Sequence, residues 1–276
     1  MSSRVEISRW SHRADGQDAL HVLAAGRIVV GYHGRPGEHG RCEDAALVIL
    51  LPGGEAVLAV ADGMGGGARA DDAAASIVDS LAARVQALTE EANSRIQVLD
   101  AIEAASAEIR SWGVGAATTV LVAEIEPEAY RTYHVGDSEA LVTGQRGRIK
   151  WRTISHSPVG YATASGMLPA RDAMVHEDRH LVDSMLGLEG MRVDVGERRR
   201  FARRDTLILG TDGLFDNLSE SEIVEIVRKG KLEVAGAELL SRVQARMEAA
   251  ESGGAGKPDD VAFILYRPAG AFRGQR

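Results

Sequence analysis

The hydrophobic pattern of this chain predicts an α+β fold in which antiparallel sheets are covered by helices segregated outside them. Three observations lead there. Strand-length apolar runs arrive in blocks, and helix-period stretches arrive in pairs. Neighbouring runs are joined by short turn signals such as Pro52-Gly53-Gly54 and Gly144-Gln145-Arg146-Gly147. A doubly wound parallel sheet would instead alternate strand and helix along the chain.

The first strands run over Arg27–His33, Ala45–Leu51 and Glu55–Ala61. Ala73, Ala74, Ile77, Val78, Leu81, Val85 and Leu88 then recur at helical spacing, and Asp71 and Asp72 suit the positive end of that helix. A second helix carries Ile96, Leu99, Ile102, Ile109 and Trp112, with Asn93 as its cap. Strand pattern returns over Ala117–Ile125, Tyr130–Val135, Glu139–Thr143 and Ile149–Ile154, with Glu126-Pro127-Glu128 at the first turn. From Ser155 to Glu189 periodicity is weak, and the stretch reads as a surface flap. Strands follow at Met191–Val195 and Thr206–Thr211. Ser219 opens a helix with a capping box to Glu222. A longer helix passes through Ala235, Leu239, Leu240, Val243 and Met247 and stops at Ser252-Gly253-Gly254, and Val261–Tyr266 closes the pattern as a strand.

No low-complexity linker, repeat or shift in composition divides the 276 residues, so residues 1–276 read as one domain. A hydrophobic fraction of 45% with 26% charged residues is that of a soluble globular protein. The lone cysteine, Cys42, cannot form an internal disulfide, which fits a reducing cytoplasm. The first residues lack a signal peptide's apolar core, and no apolar run approaches the ~20 residues that span a bilayer, so no membrane is expected. A net charge of −8 argues against nucleic acid, whose binders present a basic face. The one basic run, Arg198-Arg199-Arg200 with Arg203-Arg204, reads first as a solvated turn and second as a docking patch for acidic substrate.

The placing of the acids is more informative. The apolar run Glu55–Ala61 ends in Asp62-Gly63, and Thr206–Thr211 ends in Asp212-Gly213. Each run delivers an aspartate at its tip, followed by a glycine that allows a sharp turn. Glu43-Asp44 and Asp259-Asp260 stand at the opposite ends of their own strands. In an antiparallel sheet the start of one strand meets the end of its neighbour, so all four groups can reach one rim. Two charges ~4 Å apart repel by ~4 kcal/mol at an effective dielectric near 20, so such a cluster takes up protons or binds cations. Oxygen ligands alone suit Mg²⁺ or Mn²⁺. Two such ions are the usual apparatus for attack of water on phosphorus. A single Asp-Gly at a strand end is usually only a turn. The residues by themselves leave separate turns and one binuclear site both open.

The motifs around these acids resemble, in order, those of the metal-dependent protein phosphatases of type 2C in their bacterial form. Val60-Ala61-Asp62-Gly63-Met64-Gly65-Gly66 is similar to the family's signature, and Glu43-Asp44-Ala45 to its upstream acidic motif. Ala117-Thr118-Thr119 with Val135-Gly136-Asp137-Ser138 resembles the central motifs. Thr211-Asp212-Gly213-Leu214-Phe215-Asp216 and Pro258-Asp259-Asp260-Val261 resemble the last two. The resemblance covers about residues 26 to 267. It implies a four-layer α-β-β-α sandwich, two antiparallel sheets flanked by pairs of helices. It also implies hydrolysis of phosphoserine and phosphothreonine in proteins by water bridging two Mn²⁺ or Mg²⁺ ions. Asp62 would bridge both ions, Asp212 and Asp259 would complete the first, and the carbonyl of Gly63 would help bind the second. Asp44 and Glu43 would act through coordinated water. A third, weaker ion would draw on Asp137, Asp212 and Asp216. The implied partners are phosphoproteins, targets of a bacterial serine/threonine kinase.

Several positions depart from that pattern. The last motif usually reads Asp-Asn, whereas Asp259 is followed here by Asp260; register favours Asp259 as the ligand, with Asp260 in reserve. Met64 stands where eukaryotic members carry a histidine, as in bacterial relatives, which leaves the leaving group's proton to metal-bound water, His39 or His180. The phosphate-binding arginine falls on Arg35 or Arg41, and spacing prefers Arg35; a guanidinium fork suits phosphate. Gly65-Gly66-Gly67 lacks the Lys-Ser/Thr of a Walker motif. His156, His176 and His180 read as ordinary histidines, and Cys42 as a packed side chain. The competing readings are a pseudophosphatase that only binds a partner, and a hydrolase of small phosphate esters.

Overall fold

The computed structural model describes residues 5–12, 19–22, 26–37, 41–64, 69–87, 94–173, 176–251, 253–254 and 256–269, with backbone alone at 19–22 and 170–171. In chain order the strands are β1 (Glu6–Trp10), β2 (Ala19–Val22), β3 (Gly26–His33), β4 (Asp44–Leu50), β5 (Ala56–Met64), β6 (Ala117–Thr118) and β7 (Val120–Ile125). They continue with β8 (Ala129–Val135), β9 (Glu139–Thr143), β10 (Ile149–Arg152), β11 (Asp194–Val195), β12 (Arg199–Arg200), β13 (Thr206–Gly210) and β14 (Val261–Pro268). The helices are α1 (Ala70–Gln86), α2 (Ser94–Ser111), α3 (Pro158–Ala164), α4 (Ala170–Ala173), α5 (Asp212–Phe215), α6 (Glu220–Val227) and α7 (Leu232–Glu251).

One sheet has the order β1-β4-β5-β7-β8-β11, with β6 also on β5 and β12 also on β8; the other runs β10-β9-β13-β14-β3-β2. Among the described residues every strand pairing is antiparallel. Successive side chains of a strand point to opposite faces, and here each face has a core of its own. Leu47, Ile49, Val57 and Ala59 pack with Ile77, Leu81 and Ile102 of α1 and α2. Their neighbours Val48, Leu58 and Val60 pack between the sheets with Val30, Leu209 and Ile264. On the far side, Val29, Ile208, Phe263 and Leu265 meet Val224 of α6 and Leu239 and Val243 of α7. The result is a four-layer α-β-β-α sandwich. Because both faces of the central strands are covered, they read in sequence as unbroken apolar runs.

The helix ends follow local chemistry. Ser219 and Glu222 form the predicted capping box at α6. Asp71 and Asp72 lie in the first turn of α1. Its N-cap, Arg69, is left-handed at φ 73°, where its Nε donates to Asp72 at 2.7 Å and its guanidinium lies 3.8 Å from the centre of the Trp112 ring. Asn93 and Leu88 fall outside the described residues.

The stretch from Ser155 to Glu189 is more ordered than its sequence implies. It contains α3, capped by Ser157, which accepts from the N–H of Gly160, and the single turn α4. Both its ends are rooted: His156 is fully buried, and Leu186 bridges to Thr118. The expected strand at Met191–Val195 shortens to β11, and Ile149–Ile154 ends at Arg152. In the basic run, Arg198 and Arg200 pair with Glu126 and Glu128 across the β8 edge, which accounts for two of its charges.

Candidate metal centre

Register brings the first two acids together. Asp44 lies opposite Asp62 where β4 pairs with β5, so both side chains leave the same face of the sheet. Asp44 is buried, and its Oδ2 accepts from Thr211 Oγ1 of the other sheet at 2.7 Å. The backbone of Asp62 is held by two threonines. Its N–H donates to Thr119 Oγ1 at 3.0 Å, and its carbonyl accepts from the Thr119 N–H at 2.8 Å and from Thr118 Oγ1 at 2.9 Å. Thr119 Oγ1 lies 2.7 Å from Ser138 Oγ, which ties this tip to the turn carrying Asp137.

The second tip behaves differently. Asp212 opens the helical turn α5, and Asp216 closes it with its N–H donating to the Asp212 carbonyl at 2.7 Å. Residues four apart share a helix face, so one turn presents two carboxylates. The glycine after each tip is needed for space, a different reason from the sharp turn expected. Neither Gly63 nor Gly213 has a positive φ. A Cβ on Gly63 would fall 2.1 Å from the Ala70 carbonyl oxygen, and one on Gly213 would fall 1.9 Å from the Asp260 carbonyl oxygen. Gly63 itself continues β5 and donates to the Glu43 carbonyl at 3.0 Å.

Asp259 and Asp260 part company just before β14. Asp260 is turned onto backbone donors. Its two carboxylate oxygens accept from the backbone N–H groups of Arg35 and Glu43, both at 2.6 Å. Asp259 faces the cluster, with Oδ1 3.5 Å from Arg35 and Oδ2 2.8 Å from Lys257. The structure therefore brings Arg35 to the acids. Arg41 is largely exposed and pairs at 3.4 Å with Asp71 at the start of α1. Glu43 is exposed at the edge of the site.

Lys257 and Asn217 were not singled out in the sequence, and Thr211 appeared there only as part of a strand and a motif. Lys257 Nζ donates to Asp212 at 2.5 Å and Asp259 at 2.8 Å, and lies 3.2 Å from Asp216. The available signal was a lone lysine in a glycine-rich turn two residues ahead of an acid pair.

Burial first, and crowding second, raise the acids. Burial, then the charges of Asp212, Asp44, Asp137 and Asp259, holds the Asp62 carboxyl well above the usual range. Burial, then Asp260, does the same for Asp44 against the opposing bond from Thr211. Asp137 is pushed up to about 8 by burial and by Asp212, and Asp212 to about 6 by burial and by Asp259. Burial alone would lower the Lys257 ammonium, but Asp212, Asp259 and Asp216 together raise it. One oxygen of Asp137 is buried without a hydrogen-bond partner. Partly buried carboxylates that repel one another, with one oxygen left unmatched, are what a hard divalent cation satisfies, so the residues fit Mg²⁺ or Mn²⁺.

A second group of possible ligands does not fit a metal. His134, His156 and Asp194 bring ligand atoms within 4.8 Å of one another, with the two ring centres 4.5 Å apart and their planes tilted by 36°. The Gly136 N–H donates to His156 Nδ1 at 3.2 Å, so the neutral ring keeps its proton on Nε2, the atom that faces Asp194 at 3.4 Å. A metal would have to displace that proton. Burial and then His134 push His156 down to about 4, so the ring is neutral and braces the turn before Asp137. His180 is exposed, Met64 is partly exposed at the end of β5, and His39 and Gly65–Gly67 lie outside the described residues. Cys42 is buried, and burial pushes its thiol up.

A cavity of about 350 Å³ adjoins the acids between α3 and the start of α6, with Asp137, Glu139, Asp212, Asp216 and Arg179 in its wall. Acids from separate segments gathered on one rim, with a guanidinium beside them, point to a metal-dependent phosphatase, and that is the class this fold and site define. Comparison with known proteins narrows the class. The family model described as Protein phosphatase 2C matches residues 33–249, and the chain belongs to that family. The serine/threonine phosphatase stp of Listeria welshimeri is 29% identical over 197 aligned positions, and the match covers 67% of this chain and 77% of that one. A rice relative is matched over only 33% of its own length. The serine/threonine phosphatase of S. agalactiae superposes with a TM-score of 0.71 over 92% of this chain and 99% of that one, at 22% identity, a likeness of fold.

Proposed function

We propose that the chain removes phosphate from phosphoserine and phosphothreonine in proteins. The observation that carries this reading is the convergence of Asp44, Asp62, Asp137, Asp212 and Asp259 with Arg35 at one rim beside an open cavity. Two Mn²⁺ or Mg²⁺ ions, when bound, supply Lewis acidity toward the phosphoryl group and an acidified water. Asp62, Asp212, Asp259 and the Gly63 carbonyl would hold them, with Asp44 and Glu43 acting through water.

The remaining work falls to the chain itself. Arg35 would grip the phosphoryl oxygens with its planar fork while Asp260 fixes its backbone. Thr211 orients Asp44, and Thr118 and Thr119 lock the Asp62 tip, so the acids keep their places as charge builds on the substrate. The cavity beside α3 would receive the side chains next to the phosphorylated residue. The phosphoproteins are expected to be targets of a bacterial serine/threonine kinase in the cytoplasm; among the described residues no helix is long and apolar enough to cross a membrane.

The test is phosphate release from a phosphothreonine peptide, with small aryl phosphates in parallel. Activity should require Mn²⁺ or Mg²⁺, vanish in EDTA and return with added metal. Asp62→Ala should fall to background while its circular dichroism stays native. Retained turnover in that variant would reject the assignment, and a strong preference for the small ester would reject the protein substrate.

A further inference from the structure

Lys257 contacts acids that belong to two of the expected ion positions. Asp212 and Asp259 serve the first ion, and Asp212 and Asp216 serve the third. The Lys257 ammonium lies 2.5 Å from Asp212, 2.8 Å from Asp259 and 3.2 Å from Asp216. We propose that Lys257 is a tethered cation that takes the place of the third ion, so that this chain operates with two divalent ions and a lysine. The inference rests on reading the acid cluster as a metal centre.

The position of the lysine is built into the fold. Asn217 is fully buried and grips the Lys257 backbone on both edges. Its Oδ1 accepts from the Lys257 N–H, and its Nδ2 donates to the Lys257 carbonyl, each at 2.9 Å. The same Nδ2 donates to the Gly213 carbonyl at 2.9 Å, which locks residue 257 to the turn carrying Asp212 and Asp216. Pro258 follows and favours an extended conformation at Lys257. The lysine stem therefore starts from a fixed point beside the three acids.

Charge and spacing agree with this. An ammonium has three N–H groups, one for each of the three carboxylates. Asp216 also lies 3.7 Å from Arg179, so this acid of the third position already faces two cations. A divalent ion there would need the oxygens that now meet Lys257, and it would sit against a positive charge.

The test counts Mn²⁺ per chain by equilibrium dialysis on the wild type, K257M, K257A and K257R. The wild type and K257R should saturate at two ions, and K257M and K257A at three. Equal counts in wild type and K257M would mean that the lysine leaves the cluster when metal binds, which overturns its role and leaves the metal centre standing. No bound Mn²⁺ in any form would remove the metal centre and the proposal together. Thermal unfolding guards against a variant that is merely misfolded. In EDTA, K257M should melt below the wild type, because three carboxylates lose their shared cation, and Mn²⁺ should raise its melting point by more. An equal rise in both proteins would also overturn the proposal.

Discussion

Asp259 and Asp260 are chemically identical neighbours, and their surroundings give them opposite tasks. Asp260 spends both oxygens on backbone N–H groups, those of Arg35 and Glu43, and so pins the segment that carries Arg35 to the start of β14. Asp260→Ala leaves two donors without an acceptor, each costing about 1–3 kcal/mol if water cannot reach it. Urea unfolding of the metal-free protein should register that loss, with the Mn²⁺ count per chain unchanged. Asp259→Asn should weaken Mn²⁺ binding, with any loss of metal-free stability confined to its contacts with Arg35 and Lys257. If Asp260→Ala lost metal and Asp259→Asn did not, the two assignments would have to be exchanged. Register in the sequence was enough to favour Asp259, because the residue just before a strand and the one before that point to opposite sides. Lys257 was not legible, since nothing in its local sequence says that the turn folds inward onto Asp212.

At the scale of elements, legibility follows burial. The strands buried on both faces, β4, β5, β7, β13 and β14, announce themselves as apolar runs, and the paired helices as apolar stripes. The missed elements lack either signal. β1 is an edge strand whose described residues are only partly buried or exposed, and β11 and β12 are two residues long. The helices α4 and α5 span four residues each, too short for a 3.6-residue period to show. The glycines of Asp62-Gly63 and Asp212-Gly213 were recognised, but the reason for them, a backbone carbonyl within 2.1 Å of any added Cβ, exists only once distant segments meet. The capping box of α6 was readable because all its parts are local, and it also shapes the wall of the cavity beside the acids through Ser219 and Glu220. Ser219→Ala should therefore cost about 1 kcal/mol in urea unfolding. Its effect on peptide turnover should exceed its effect on an aryl phosphate, which needs less of that wall. Equal effects on both substrates would detach α6 from substrate binding.

For the molecule as a whole, the acid rim makes stability depend on pH in a direction opposite to the common carboxylate case. A carboxyl raised in the folded state binds its proton more tightly there than in the unfolded chain. Its stabilising contribution is full below the unfolded value, near 4, and is lost as pH climbs through the folded value. Asp212 stands at about 6 and Asp137 at about 8, while Asp44 and Asp62 are raised in the same direction. The metal-free protein should accordingly lose stability steadily between about pH 4 and about pH 8. The midpoint of urea unfolding in EDTA is the measurement. Divalent ions compete with the same protons, so saturating Mn²⁺ should tighten with rising pH and flatten or reverse that slope. A metal-free protein whose unfolding midpoint rose across this range would mean that the carboxylates are paired and solvated rather than gathered, and the two-sheet rim would lose its claim to be a metal centre.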